Sequence, residues 1–395
     1  TTLALLALTL PAVADTTAIV GGKVHTVGPV GTIENGTVLI VDGRIAAVGE
    51  DISVPEGATT IDATGKVVTP GLFSPFGQLG LVEVPNSAAP VDSAQRGTQF
   101  TAGFDVADAY NPRSTLIPIN RIEGVTRAIV APTPGYPDES GSGHILAGLA
   151  AIVNLGDGNV LDQRGAAMVV ALGEFGSALS GGSRTAAWLT LRNALDEALD
   201  YREHKGDFER GMRRDYAQSV NDLEALQGVV NGNTPMIVSI DRASDIEVLI
   251  DFVDEYSVTA VILGGSEAWM LADELAAARI AVIVGPAANL PGSFDDINAR
   301  FGSASILVNA GVKVAIADGD AQTHNARNMT QSAGIAVAHG LDWDAALRAI
   351  TLTPAEIFGV AAMTGSIEAG KAADVVIWPG DPLELTNYPE AVYIN

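Results

Sequence analysis

Met236-Ile237-Val238-Ser239-Ile240, then Asp241 through Tyr256, then Thr259-Ala260-Val261-Ile262-Leu263: a short apolar run, a longer segment, and a second short apolar run. The short runs read as strands, and the segment between them reads as a helix capped by Ser244 and ending at Tyr256. Apolar β runs alternating with longer helices are expected of parallel strands joined by crossover helices. The pattern continues with a helix over Glu267 to Ala278, strands over Ala281 to Val284 and Val312 to Ile316, and a helix from about Asn325 to His339. Asp342 is placed to cap a helix over Trp343 to Ile350, and Pro354 to sit in the first turn of another. Ser183 to about Gln227, rich in Arg, Asp, Glu and Leu, reads as two helices inserted between strands, over the mouth of the fold.

This alternation begins after Gly71 and suits an α/β fold, a (β/α)8 TIM barrel, which typically takes about 250 residues with insertions. An open doubly wound sheet is the alternative. Thr17 to Val68 carries no helical period. It alternates β-rich runs with turn signals such as Asp42-Gly43, whose residues tolerate the positive φ of a two-residue hairpin turn. After Gly365 to Gly370 the chain returns to β structure at Asp374-Val375-Val376-Ile377-Trp378, stopped by Pro379-Gly380-Asp381-Pro382. The expected organisation is a barrel over residues 71–364 inserted into a small β-sandwich built from 15–70 plus 365–395.

The 395 residues are 47% hydrophobic and 17% charged, the balance of a compact globular chain. With 47 acidic against 22 basic residues the net charge is -25, so a phosphate backbone is repelled and nucleic acid is not an expected partner. The absence of cysteine excludes disulfides, thiolate metal sites and a cysteine nucleophile. Leu3 to Leu10 followed by Pro11-Ala12-Val13-Ala14 has the small-x-small pattern read by a signal peptidase, so residues 1–14 are expected to be the remnant of a signal peptide and the protein periplasmic or secreted. The chain also reads as clipped at both ends, with Ala391 to Asn395 a strand entering a turn. No segment offers the ~20 uninterrupted apolar residues of a membrane span.

Val68-Thr69-Pro70-Gly71-Leu72 and Gly365-Ser366-Ile367-Glu368-Ala369-Gly370-Lys371-Ala372-Ala373-Asp374-Val375-Val376 closely resemble the two domain junctions of the amidohydrolase superfamily. Asp108-Ala109-Tyr110-Asn111-Pro112, Arg121-Ile122-Glu123-Gly124-Val125-Thr126 and Ala345-Ala346-Leu347-Arg348-Ala349-Ile350-Thr351 are similar to its imidazolonepropionase-like bacterial subgroup. The resemblance runs from Thr17 to Asn395. It implies a barrel whose C-terminal mouth holds one or two divalent metals, such as zinc, that activate water against carbon–nitrogen bonds. Zinc lowers the pKa of bound water from 15.7 to roughly 7.

The ligand positions that the resemblance implies are changed in this chain. Where the family has His-x-His after its first barrel strand, Phe73-Ser74-Pro75-Phe76-Gly77-Gln78 puts Phe76 and Gln78, neither a useful zinc ligand. The next two histidines are replaced by Ser239-Ile240-Asp241-Arg242 and by Val261-Ile262-Leu263 running into Gly264-Gly265. The final aspartate falls within Ala317-Asp318-Gly319-Asp320, with Gly319 aligned to it and Asp318 or Asp320 one residue away. The five histidines, His25, His144, His204, His324 and His339, show no His-x-His or i,i+4 pair.

No metal ligand and no cofactor is therefore assigned. Asp318, Asp320 and Asp241 are the candidate catalytic carboxylates, and Gln78, Ser239, Arg242, His144 and His324 the candidate substrate-binding residues, with Asp241 and Arg242 expected to form an ion pair at the rim. Two functions follow: a degenerate amidohydrolase that binds a small molecule or peptide at the barrel mouth, or an active hydrolase of carbon–nitrogen bonds with a carboxylate as general base. An assembly role is a third, since fold does not determine function; oligomerisation is compatible with the sequence.

Overall fold

A computed structural model describes residues 15–84, 87, 91–94, 100–135, 143–288, 290–318 and 325–395. The expected leader, Asp320 and His324 lie outside the described residues.

Both ends of the chain supply one seven-stranded sheet: β1 (Thr16–His25), β2 (Thr32–Val41), β3 (Arg44–Gly49), β4 (Thr59–Asp62), β5 (Val67–Pro70), β14 (Val375–Trp378) and β15 (Ala391–Tyr393). Asp42 at φ +47° and Gly43 at φ +73° form the expected two-residue turn, with Val41 opposite Arg44. β1 pairs with β4 through Thr17 to Val20 and with β5 through Lys23 and Val24, and its register against β2 shifts between the two stretches. Such a bulge bends a strand. Ile19, Ile45, Val68, Val375 and Ile377 pack into a single core on the inner face. The join of the two chain ends is the antiparallel β5–β14 ladder, Val68 opposite Ile377 and Pro70 opposite Val375.

The remaining strands form the barrel: β6 (Leu72–Gly77), β7 (Val125–Val130), β8 (Leu146–Asn154), β9 (Leu161–Ala171), β10 (Met236–Ile240), β11 (Ala260–Gly264), β12 (Ala281–Val284) and β13 (Val314–Ile316), hydrogen-bonded in that order. Helices α1 (Leu116–Arg121), α2 (Gly173–Leu179), α3 (Arg184–Glu209), α4 (Val220–Val230), α5 (Ala243–Tyr256), α6 (Ala272–Ala278), α7 (Ser303–Asn309), α8 (Met329–Ala338), α9 (Trp343–Ala349) and α10 (Leu352–Ile357) accompany them. Alternate strand residues go to two cores. Ile237, Val261, Ile283 and Ala315 line the barrel interior, while Val238, Ile262, Val282 and Val314 meet the helices. Burial on both faces is why β11, β12 and β13 are apolar throughout. Phe73 and Phe76 fill the interior against Ala131, Ala150, Ala167 and Ala317. At the seam between β13 and β6, the Phe73 amide donates to the Ile350 carbonyl at 2.9 Å, and Ala355 and Phe358 enter the interior cluster.

The structure departs from uniform parallel crossovers at β8, which runs antiparallel to both β7 and β9. Residues 155–160, Leu155-Gly156-Asp157-Gly158-Asn159-Val160, are the whole β8–β9 connection. A parallel crossover needs a dozen or more residues, so this link permits only a hairpin. The two helices expected over Ser183 to Gln227 are α3 and α4. Ser244 does not cap α5; Arg242 stands at its N-cap without a side-chain capping bond, and Glu267 Oε2 instead accepts from the Ala243 amide at 2.9 Å.

Barrel and terminal sheet are joined by a buried network around Arg127 of β7, which is 1% exposed. Its Nε donates to Asp374 Oδ2 at 2.6 Å, Nη1 to Asp162 Oδ2, and Nη2 to Asn395 Oδ1 at 2.6 Å. Thr364 Oγ1 adds a 2.6 Å bond to the same Asp374 oxygen.

Candidate functional site at the barrel mouth

In a barrel of this kind the loops at the C-terminal strand ends carry the chemistry. Gln78 follows β6, Asp241 and Arg242 follow β10, and Asp318 lies two residues past β13, all on that rim; Ser239 is the penultimate residue of β10. His144 precedes β8, and because β8 is reversed its start pairs with the end of β9, Leu146 opposite Val170, which brings His144 to the rim as well.

The period of two along each strand decides which side chains enter the barrel there. Ser239 follows the interior Ile237, Leu263 follows Val261 and Ala317 follows Ala315, while in β6, whose register shifts between Ser74 and Gly77, Phe76 joins Phe73 in the interior. A hydroxyl, two aliphatic side chains and a phenyl ring therefore occupy the inner rim at those strands. None is a zinc ligand of the imidazole, carboxylate or thiolate kind. Among the described residues no group of three or more His, Asp or Glu side chains could hold a metal ion. The described inner-rim side chains do not supply the donors of the divalent centre that the resemblance implies; Asp320 and His324, in the loop after β13, lie outside the described residues.

The described polar chemistry gathers around Asp241. Asp241 Oδ1 accepts from the Ser266 amide at 3.0 Å and from Ser266 Oγ at 2.8 Å. Gly264 makes room: it has φ +95°, and a Cβ on it would stand 2.7 Å from Asp241 Oδ1. Burial pushes the Asp241 carboxyl above its usual value against the two Ser266 bonds, and the charges of Asp296 and Asp295 push the same way.

The loop after β12 is tied across this rim. Asp295 Oδ2 accepts from the Glu174 amide at 2.8 Å, and Asp295 Oδ1 takes a bond from Arg184 Nη2, while Arg184 Nε donates to Asp245 Oδ2 at 2.9 Å. Arg184, the first residue of α3, thus fastens the inserted helix to α5 and to the loop after β12, and Asp295 ties that loop on to α2. Glu267 Oε1 accepts from Asn298 Nδ2 at 2.8 Å and holds the far end of the same loop.

Of the candidates named from sequence, Asp241 has the most developed environment. Arg242 is not its partner: the guanidinium is exposed and its Nε donates to Ser244 Oγ at 2.6 Å, so the expected rim ion pair is absent. His144 Nδ1 accepts from the Leu146 amide at 3.2 Å, which leaves the proton of the neutral ring on Nε2. Burial pushes its pKa below the usual value while Asp222 pulls it up. Asp318 is half-buried. Ser266, Glu267, Asp295 and Arg184 were missed by sequence reasoning, since their partners lie 25 to 121 positions away.

A barrel set into a sheet drawn from both chain ends, with its polar groups on the C-terminal rim, has the architecture of the barrel hydrolases. A family profile described as the amidohydrolase family matches residues 200–395. Amidohydrolase tasK of Hapsidospora irregularis is 23% identical over 92% of this chain, which spans 39% of that relative's length. Imidazolonepropionase of a Geobacillus species is 50% identical over 50 residues, 11% of this chain and 12% of the relative. Among solved structures, an amidohydrolase from Thermotoga maritima has a TM-score of 0.83 at 23% identity, covering 96% of this chain and 98% of its own. Together the family match and the similar sequences support placing the chain in the amidohydrolase superfamily, and the structural likeness agrees with its fold.

Proposed function

We propose that the barrel mouth is a binding site for a small molecule or peptide, built on an amidohydrolase scaffold without the family's divalent metal centre, with Asp241 as its acidic anchor. One observation carries this reading: Phe76, Ser239, Leu263 and Ala317 occupy inward positions at the strand ends. Side chains of that kind offer a metal almost no donor, and a pocket wall of mixed apolar and hydroxyl character is what ligands meet in barrel mouths. The test is thermal stabilisation of the purified protein by N-acyl amino acids and dipeptides. A ligand that prefers the folded state must raise its melting temperature. Stabilisation without chelator-sensitive turnover supports the reading; turnover abolished by a chelator and restored by zinc refutes it.

A second reading has its own support. A carboxyl raised by burial is a better general base near neutral pH than an ordinary aspartate. In that reading Asp241 activates water for hydrolysis of a carbon–nitrogen bond, and turnover is indifferent to chelators but lost in Asp241→Asn. Placement in the imidazolonepropionase-like subgroup and export to the periplasm or medium belong to the same proposal. They rest on the short match to an imidazolonepropionase and on the Leu3 to Ala14 pattern; cell fractionation tests the second. No helix among the described residues is long and apolar enough to cross a membrane.

A further inference from the structure

Away from the barrel mouth, a cleft of about 400 Å3 opens between the terminal sheet and α9. That is within the roughly 300–1,000 Å3 of ordinary ligand pockets. One wall is the turn from β1 to β2, where Val27 sits at φ +57°. A β-branched residue in the left-handed region is strained, and such strain persists only where surrounding bonds over-determine it. Here the buried Thr26 does so: its Oγ1 donates to the Gly31 carbonyl at 2.7 Å and accepts from the Gly28 amide at 3.1 Å.

The facing wall is α9, whose Asp344 and Arg348, four residues apart, share one face of the helix. They are not paired with each other. Arg348 Nη2 donates to Glu356 Oε1 at 2.6 Å and Nη1 to the Val27 carbonyl at 3.4 Å, while Asp344 Oδ1 stands 3.9 Å from His25 Nδ1. At the back, His25 lies against Trp343 with ring centroids 4.6 Å apart, and its Nδ1 is 3.1 Å from Thr32 Oγ1. Burial and the nearby Lys23 charge push the His25 pKa down, against Asp344, Glu34 and Asp381, so the ring is neutral at pH 7 and adds no third charge.

The cleft therefore presents one carboxylate and one guanidinium a helical turn apart, with Val27 as apolar surface. An ion of either sign meets one of these charges as repulsion, and an anion is opposed further by the net charge of -25. A molecule carrying both signs satisfies both groups. We propose that this cleft is a second ligand site, separate from the barrel mouth, that takes a small zwitterion of the free amino acid or dipeptide class, with its ammonium at Asp344 and its carboxylate at Arg348.

The experiment is calorimetric titration of the intact protein with glycyl-leucine, N-acetyl-glycyl-leucine and glycyl-leucine amide. Each capped peptide is expected to bind about tenfold more weakly than the free dipeptide, the effect of losing one charge-assisted hydrogen bond. In Asp344→Asn, at a side chain 79% exposed, the preference for a free ammonium disappears. Arg348→Gln removes the preference for a free carboxylate, and if loss of its Glu356 contact unfolds the protein, Asp344→Asn alone decides. In Asp241→Asn any heat that belongs to the barrel mouth is removed, and the preferences for a free ammonium and a free carboxylate remain. Equal affinity for free and capped peptides, no binding of the dipeptide, or binding lost in Asp241→Asn but kept in Asp344→Asn overturns the proposal; the last result assigns the heat to the barrel mouth.

Discussion

Replacing Arg127 with Met removes the guanidinium that joins barrel to terminal sheet while keeping an unbranched apolar side chain in β7. Three acceptors lose a partner: Asp374 Oδ2, Asp162 Oδ2 and Asn395 Oδ1. The arginine is 1% exposed and its two carboxylate partners are 2% and 12% exposed, so solvent screening is small. Breaking a buried pair from one side costs about 3–5 kcal/mol because the abandoned carboxylates stay in low dielectric. Asp374 keeps Thr364 and Asp162 keeps Asn154 Nδ2 at 2.8 Å, which favours the lower half of that range. With roughly 2.1 cal/mol/K of unfolding entropy per residue over 395 residues, a loss of about 3–4 kcal/mol lowers the melting temperature by about 4–5 °C. Differential scanning calorimetry reads this directly. The double variant Arg127→Met with Asp374→Asn should recover part of the loss, since one of the stranded charges is gone. A single-variant shift under about 1 °C, or a double variant whose loss is the sum of the two singles, would refute the assignment of this network as a buried charge pair.

Two further outcomes follow from the rim. Asp241→Asn keeps an oxygen for the Ser266 amide but cannot ionise; because the folded pKa of Asp241 is raised above its ordinary 3.8, the wild type holds its full stability below that value and loses it as pH rises through the raised value. The melting temperature of the variant relative to wild type should therefore climb from pH 4 upward and then level, and a flat or falling difference would contradict the burial of this carboxyl. Gly264→Ala puts a methyl 2.7 Å from Asp241 Oδ1 on a residue at φ +95°, and should cost about 1–3 kcal/mol while weakening whatever Asp241 holds, read by calorimetry and ligand titration.

The parts of the fold legible in the sequence are those set by local pattern. Met236 to Ile240, Val261 to Leu263 and Ala281 to Val284 are apolar on both faces because a closed barrel buries both, and that alone marks them as strands between helices. Asp42-Gly43 could be read because only a few residue types tolerate two successive positive φ angles. The reversal of β8 follows from the shortness of residues 155–160, which shows only once the ends of β8 and β9 are placed. The cap of α5 was not legible at all, since Ser244 has the right chemistry two residues out of place and the true acceptor, Glu267, comes from the next loop. At the site, Ser239, Leu263 and Ala317 can be reached by counting in twos from Ile237, Val261 and Ala315, whereas Phe76 cannot, because the register of β6 shifts between Ser74 and Gly77. The Asp295–Arg184–Asp245 tie could not, because only the folded barrel brings those loops together.

Elemental analysis of the purified protein by inductively coupled plasma mass spectrometry is the most direct measurement of whether a barrel mouth rimmed inside by phenyl, hydroxyl and aliphatic groups retains a transition metal. The account predicts substoichiometric zinc, manganese and iron, unchanged after incubation with each ion and gel filtration. One equivalent of any of the three per chain, surviving dialysis and lost only to a strong chelator, would contradict it.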